Sequence, residues 1–135
     1  MITEDYVSFE VAKLLKERGF YEPTCGFYHD DYIGTLIVSS PSNHNGSINS
    51  IAAPSQGHAM KWLREKYNII ICIEPHSYNT FDNKTSSYIF TYWTDDNYNE
   101  PYCWRNETNS VFGKSWSTYE EACEEAIKYC LENLI

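Results

Sequence analysis

The C-terminal run "STYEEACEEAIKYCLENLI" (residues 117–135) constrains the fold more than any other stretch. Tyr119, Ala122, Cys123, Ala126, Ile127, Cys130, Leu131 and Leu134 recur at helical spacing and share one face. Glu121, Glu124, Glu125, Lys128 and Glu132 share the other, with Glu124 and Lys128 placed as an i,i+4 pair. Thr118-x-x-Glu121 has the form of a capping box, in which each side chain satisfies the other residue's backbone N–H. A helix this one-sided is not stable alone. It requires a sheet or another helix to cover its apolar stripe.

Two further helices follow from the same logic. In "SFEVAKLLKERGF" Ser8 is the N-cap, Val11, Ala12, Leu14 and Leu15 form the apolar side, and Gly19 supplies a left-handed terminus that lets Phe20 fold back. In "SQGHAMKWLREKY" Ser55 caps a helix whose Ala59, Met60, Trp62, Leu63 and Tyr67 lie together, with Lys66 laying its stem along them. The run "IIICI" (residues 69–73) that follows is short and β-branched, so it is expected as a buried strand, which Pro75 ends or keeps from pairing further.

Strand signals occupy most of the remainder. Residues 27–29 and 35–39 flank a turn containing Gly34 and predict a hairpin. Asn45-Gly46 marks a turn inside the polar run "PSNHNGSINSIAAP", which is expected as an exposed loop or flap with a short edge strand at residues 47–51. Residues 77–84 are expected as loop and "SSYIFTYWT" as a second strand. Residues 95–110 are expected as a long loop and "VFGKSW" as a last short strand. Together these predict one α+β domain over residues 1–135. Its mainly antiparallel sheet of about four to five strands carries three helices packed on one face.

Charge and cysteine usage exclude several functions. The formal charge is −9 with only ten Lys and Arg, so direct binding to nucleic acid or an anionic membrane surface is disfavoured. The first residues, "MITEDYVSFE", have acids where a secretory leader needs a basic and then apolar start, and the expected location is cytoplasmic. Five cysteines, odd in number and widely spaced, do not form a disulfide framework. Sequons begin at Asn45, Asn83 and Asn106 and are read as Asn-rich loops. Neither the histidines nor the cysteines show the paired spacing of a structural metal, so no metal and no cofactor are expected. No G-x-S-x-G elbow and no phosphate-binding glycine loop is present, and Asp30-Asp31 and Asp95-Asp96 are read as turn formers. No catalytic residue is assigned.

Twelve Tyr, six Phe and four Trp suit half-wet sheet faces and interfaces. The candidate binding residues are Asn43, His44, Asn45 and Ser47 in the polar run and His58 in the first turn of the second helix. Tyr98, Tyr102, Trp104 and Arg105 of the long polar segment complete the set. Two readings fit them: a module that binds another protein, or a protein that sequesters a nucleotide or other small molecule. A hydrolase of unknown specificity ranks third.

The strings "VSFEVAKLLKERGF", "AMKWLREKYNI" and "TYEEACEEAIKYCLENLI" resemble a recurrent family of small uncharacterised proteins encoded by gut anaerobic bacteria, their phages and mobile elements. The resemblance covers the helices and the strand after the second one. It implies an accessory role in a phage or mobile element; the acidic charge, the many Tyr and Trp and the lack of catalytic motifs then point to a host or phage protein as partner, with counter-defence as one version. It transfers no activity and leaves self-association open. Residues 40–51 and 77–110 depart from the family pattern, which is where this chain's own specificity is expected.

Overall fold

The computed structural model describes residues 1–79, 84–94, 104–105 and 115–135. Helix α1 spans Phe9–Glu17, α2 Gln56–Tyr67 and α3 Tyr119–Asn133. The strands are β1 Thr24–His29, β2 Ile37–Ser42, β3 Ser50–Ala52, β4 Ile70–Asn79, β5 Lys84–Trp93 and β6 Trp104–Arg105. They form two antiparallel sheets, β2-β1-β3 and β4-β5-β6. By contact density the chain divides into Met1–Ala59 with Lys128–Ile135, and Met60–Ile127.

In the first unit α1 begins where Ser8 accepts a hydrogen bond from the Val11 N–H at 3.2 Å. It ends at Gly19 (φ 88°), where the Gly19 and Phe20 N–H groups return to the Lys16 and Leu15 carbonyls. That pair of bonds satisfies carbonyls that the helix end would otherwise orphan. Val11, Ala12, Leu15 and Phe20 are buried, as the helical spacing predicts. Strand β1 lies between its two neighbours, with Phe27 opposite Ile37 on one side and Ala52 on the other. The expected hairpin is present, and Gly34 (φ 76°) turns the chain between β1 and β2. The β1–β2 register is irregular between Thr24 and Gly26. The Tyr28 hydroxyl donates to the Val7 carbonyl at 3.0 Å, tying the N-terminal segment to the middle strand.

In the second unit β4 and β5 form a long hairpin, with Ile70 opposite Trp93 and Asn79 opposite Lys84. Strand β6 adds two residues opposite Thr91 and Tyr92. Next to it, Trp116 exchanges both backbone hydrogen bonds with Tyr88 at 2.7 and 2.8 Å and stacks on Phe90. Helix α2 closes at Asn68 (φ 54°), with the Ile69 N–H donating back to Leu63. At α3 the Glu121 N–H donates to Thr118 Oγ1 at 3.1 Å. The Glu121 carboxylate takes the Ser117 hydroxyl at 2.9 Å. Ala122, Cys123, Ala126 and Ile127 are buried, as are Cys130 and Leu131 in the end of α3 that counts with the first unit, and burial pushes the Cys130 thiol up to about 12.

Several expectations need correction. The strands do not make one sheet of four to five strands carrying all three helices on one face; they make two sheets. At β3 the Ser50 carbonyl and the Ala52 N–H, which point away from β1, are taken by Lys16 and Asn45. Pro75 does not end its strand. Strand β4 is at a sheet edge, where a missing N–H is tolerated, and it continues past Pro75 with an irregular register. Residues 70–73 are exposed or half-buried, and only Ile69 of "IIICI" is buried. Residues 77–79 and 84 are strand rather than loop. Tyr119, placed on the apolar face of α3, is 45% exposed and meets Tyr88 edge-on. Of the long polar segment and "VFGKSW", residues 95–103 and 106–114 lie outside the described residues.

Candidate functional site

The polar run after β2 is not a flap. Residues 44–46 form a single tight helical turn, and its Asn45 side chain is buried. The Asn45 amide donates through Nδ2 to the Phe20 carbonyl at 2.6 Å, and its Oδ1 accepts from the Ala52 N–H at 2.8 Å. One side chain therefore satisfies a backbone acceptor beyond α1 and a backbone donor on β3. The Asn-Gly turn signal is real, but the side chain it carries is structural. The sequon at Asn45 is committed in the same way.

His44 stacks on Phe27 with ring centroids 4.0 Å apart and 15° between planes. Burial holds its imidazole below the usual histidine range, against a hydrogen bond with the Thr24 backbone that favours the charged form. The Ser42 hydroxyl lies 3.3 Å from its Nε2. Ser47 is exposed. Its hydroxyl accepts from the Asn49 N–H, and its carbonyl takes the Lys16 ammonium at 3.1 Å. Lys16 also reaches the Ser50 carbonyl at 2.9 Å. Asn43 is exposed, and its carbonyl accepts from the Gly46 N–H.

His58 sits in the first turn of α2, where its N–H donates to Ser55 Oγ and its ring meets Phe20 edge-on at 5.5 Å. Asn45 and His58 thus converge on one residue, Phe20. His58 also lines a hollow of about 160 Å³ with Tyr6, Cys25, Ser55, Pro41 and Glu4. There the Tyr6 hydroxyl is held above the ordinary tyrosine value, by desolvation first and then by Glu4 and Cys25. This hollow is smaller than the ~300 Å³ at which small-molecule sites usually begin. Trp104 and Arg105 form β6 opposite Tyr92 and Thr91, and Tyr98 and Tyr102 lie outside the described residues. Among the described residues no group of three or more His, Cys, Asp and Glu could hold a metal ion. No helix among them is long and apolar enough to cross a membrane.

What residue-level reading missed stands at the turn end of the first sheet. Tyr32 (60% exposed) and Ile33 (90%) project from the β1–β2 turn, and Ile48 (92%) stands in the loop before β3. The Asp30 N–H donates to the Asn49 carbonyl at 3.0 Å, which fastens this turn to that loop. Asp30 and Asp31 are exposed between them. His29 Nδ1 accepts the Asp31 N–H at 3.1 Å and lies 3.6 Å from the Asp31 carboxylate. The signal available in the sequence was two large apolar residues inside a turn, where solvated residues are the rule.

No known protein family matches the chain, and neither a curated protein nor a solved structure is similar to it.

Proposed function

We propose that this is a non-enzymatic, acidic accessory protein of a phage or mobile element that acts in the host cytoplasm by binding a host or phage protein. Counter-defence is one form that such binding takes. The observation that supports this reading is the exposed group Tyr32, Ile33 and Ile48 beside Asp30 and Asp31. Large apolar side chains gathered at one end of a small sheet are costly in water unless a partner covers them. The acids around them suit a partner with Lys or Arg at its rim. The sequestering reading loses support, because Asn45 and the carbonyls of Ser47 and Ser50 are spent within the fold rather than offered to a ligand.

Co-purification of the tagged protein from bacterial host lysate tests the proposal, with an Ile33→Asp/Ile48→Asp double variant alongside. A stoichiometric partner held by the wild type and lost by the folded double variant is expected. Absence of any stoichiometric partner, or one held equally by both proteins, overturns it.

A further inference from the structure

The edges of the two sheets are not equally protected. At β3 the Ser50 carbonyl is taken by Lys16 and the Ala52 N–H by Asn45, the two alternate residues that face away from β1. Strand β4 carries Glu74 and the exposed Pro75, both unfavourable to strand addition. Strand β2 is different. Residues 38–42 are all exposed, the strand has no charged residue, and Val38 is 55% exposed. Ser39, Ser40 and Pro41 have no partner across the ladder to β1. Pro41 and the irregular register confine the open run to the first four residues of the strand, 37–40. A neutral, β-branched edge with outward N–H and C=O groups is a template for another strand.

Charge decides which strand. Asp30 and Asp31 lie in the turn that leads into β2, and Glu4 lines the hollow beside Pro41 at the strand's other end. A second copy of this chain pairing antiparallel through β2 sets the Asp30-Asp31 end of each copy beside the Glu4 end of the other. Like charges then face each other at both ends, on a chain already at −9. We infer that β2 takes up an extended segment of a partner protein as a fourth strand, uncharged where it pairs and flanked by Lys or Arg on both sides. This rests on the protein-binding reading above and adds to it the mode of docking and the chemistry of the partner.

A fluorescent peptide of alternating Val and Thr with lysine pairs at both ends is the probe, and the same core with glutamate pairs is its control. The lysine form is expected to bind at least about tenfold more tightly than the glutamate form, by an amount that falls with added salt. It is also expected to slow hydrogen exchange at the amides of residues 37–40. Val38→Lys, which places a charge in the open run, is expected to abolish binding at an unchanged melting temperature, while the neutral Val38→Thr retains it. Equal binding of the two peptides, protection away from β2, or a concentration-dependent dimer protected at β2 overturns the inference. If Val38→Lys still holds a partner that Ile33→Asp/Ile48→Asp loses, the protein-binding reading survives and the β2 edge is excluded from it.

Discussion

Strands β2 and β3 flank the same middle strand, yet one edge is closed by side chains and the other is left bare. Closure at β3 uses two residues from distant places: Lys16 from the last turn of α1, and Asn45, which reaches back to Phe20 as it covers Ala52. Among the described residues no side chain from elsewhere in the chain caps the backbone of β2, whose residues 38–42 are exposed. An edge can therefore be terminated by a few well-placed polar side chains without a covering strand. Where the chain supplies none, the edge is available to something else.

The largest expected effect comes from breaking the closed edge at its buried member. Asn45→Ala removes the hydrogen bonds that the side chain makes in the interior to the Phe20 carbonyl and the Ala52 N–H. It should cost ~2–3 kcal/mol in a urea-unfolding measurement, since each buried orphan costs about 1–3 kcal/mol. Lys16→Met removes the partly exposed half of the same closure. A loss of ~1 kcal/mol is expected from the missing charged hydrogen bonds, with new concentration-dependent light scattering as the β3 edge opens. If Lys16→Met scatters no more than the wild type, then the lysine is not what guards that edge. On the open side, Val38→Lys should change unfolding stability by less than ~0.5 kcal/mol, because it alters an exposed side chain that supports no closure.

The smallest effect concerns pH. Burial, with its ring stacked on Phe27, holds the His44 imidazole below the ordinary histidine value of 6.5. Its neutral form is the one the fold accommodates. The stability it contributes is complete above the unfolded-state value and declines as pH falls through the folded one. Stability should drop between pH 6.5 and the lower folded value, and His44→Phe should flatten that part of the curve without altering the alkaline side.

The helices were legible because their signals are local. Ser8, Gly19 and Ser55 do what their positions ask, and the buried face of α3 is the one that spacing predicts, apart from Tyr119 and the half-buried Leu134 just past the helix end. The division into two sheets was not legible. Nor was the capping of β3, where Lys16 and Asn45 meet the strand across 34 and 7 residues of chain, because no periodicity reports such a meeting. For the same reason Asn45 reads as an exposed turn residue until Phe20, 25 residues earlier, is seen to accept its amide. Pro75 was misread because its meaning depends on whether its strand is at an edge, which is a property of the sheet and not of the residue. Of the candidate site residues, His44, Asn45 and His58 prove to be packing and hydrogen-bonding elements. The exposed apolar group at the turn lay among residues that a turn assignment dismisses.

The thiols of α3 give the molecule an internal clock. Cys123 and Cys130 are buried, and Cys130 is additionally held far from its thiolate form, whereas Cys25 and Cys72 are partly exposed. Alkylating reagents attack thiolates that they can reach. Modification of Cys130 therefore waits for α3 to come away from its surroundings, and its rate reads how often that happens under native conditions. The same burial spares this cysteine from oxidative damage for as long as the helix stays in place.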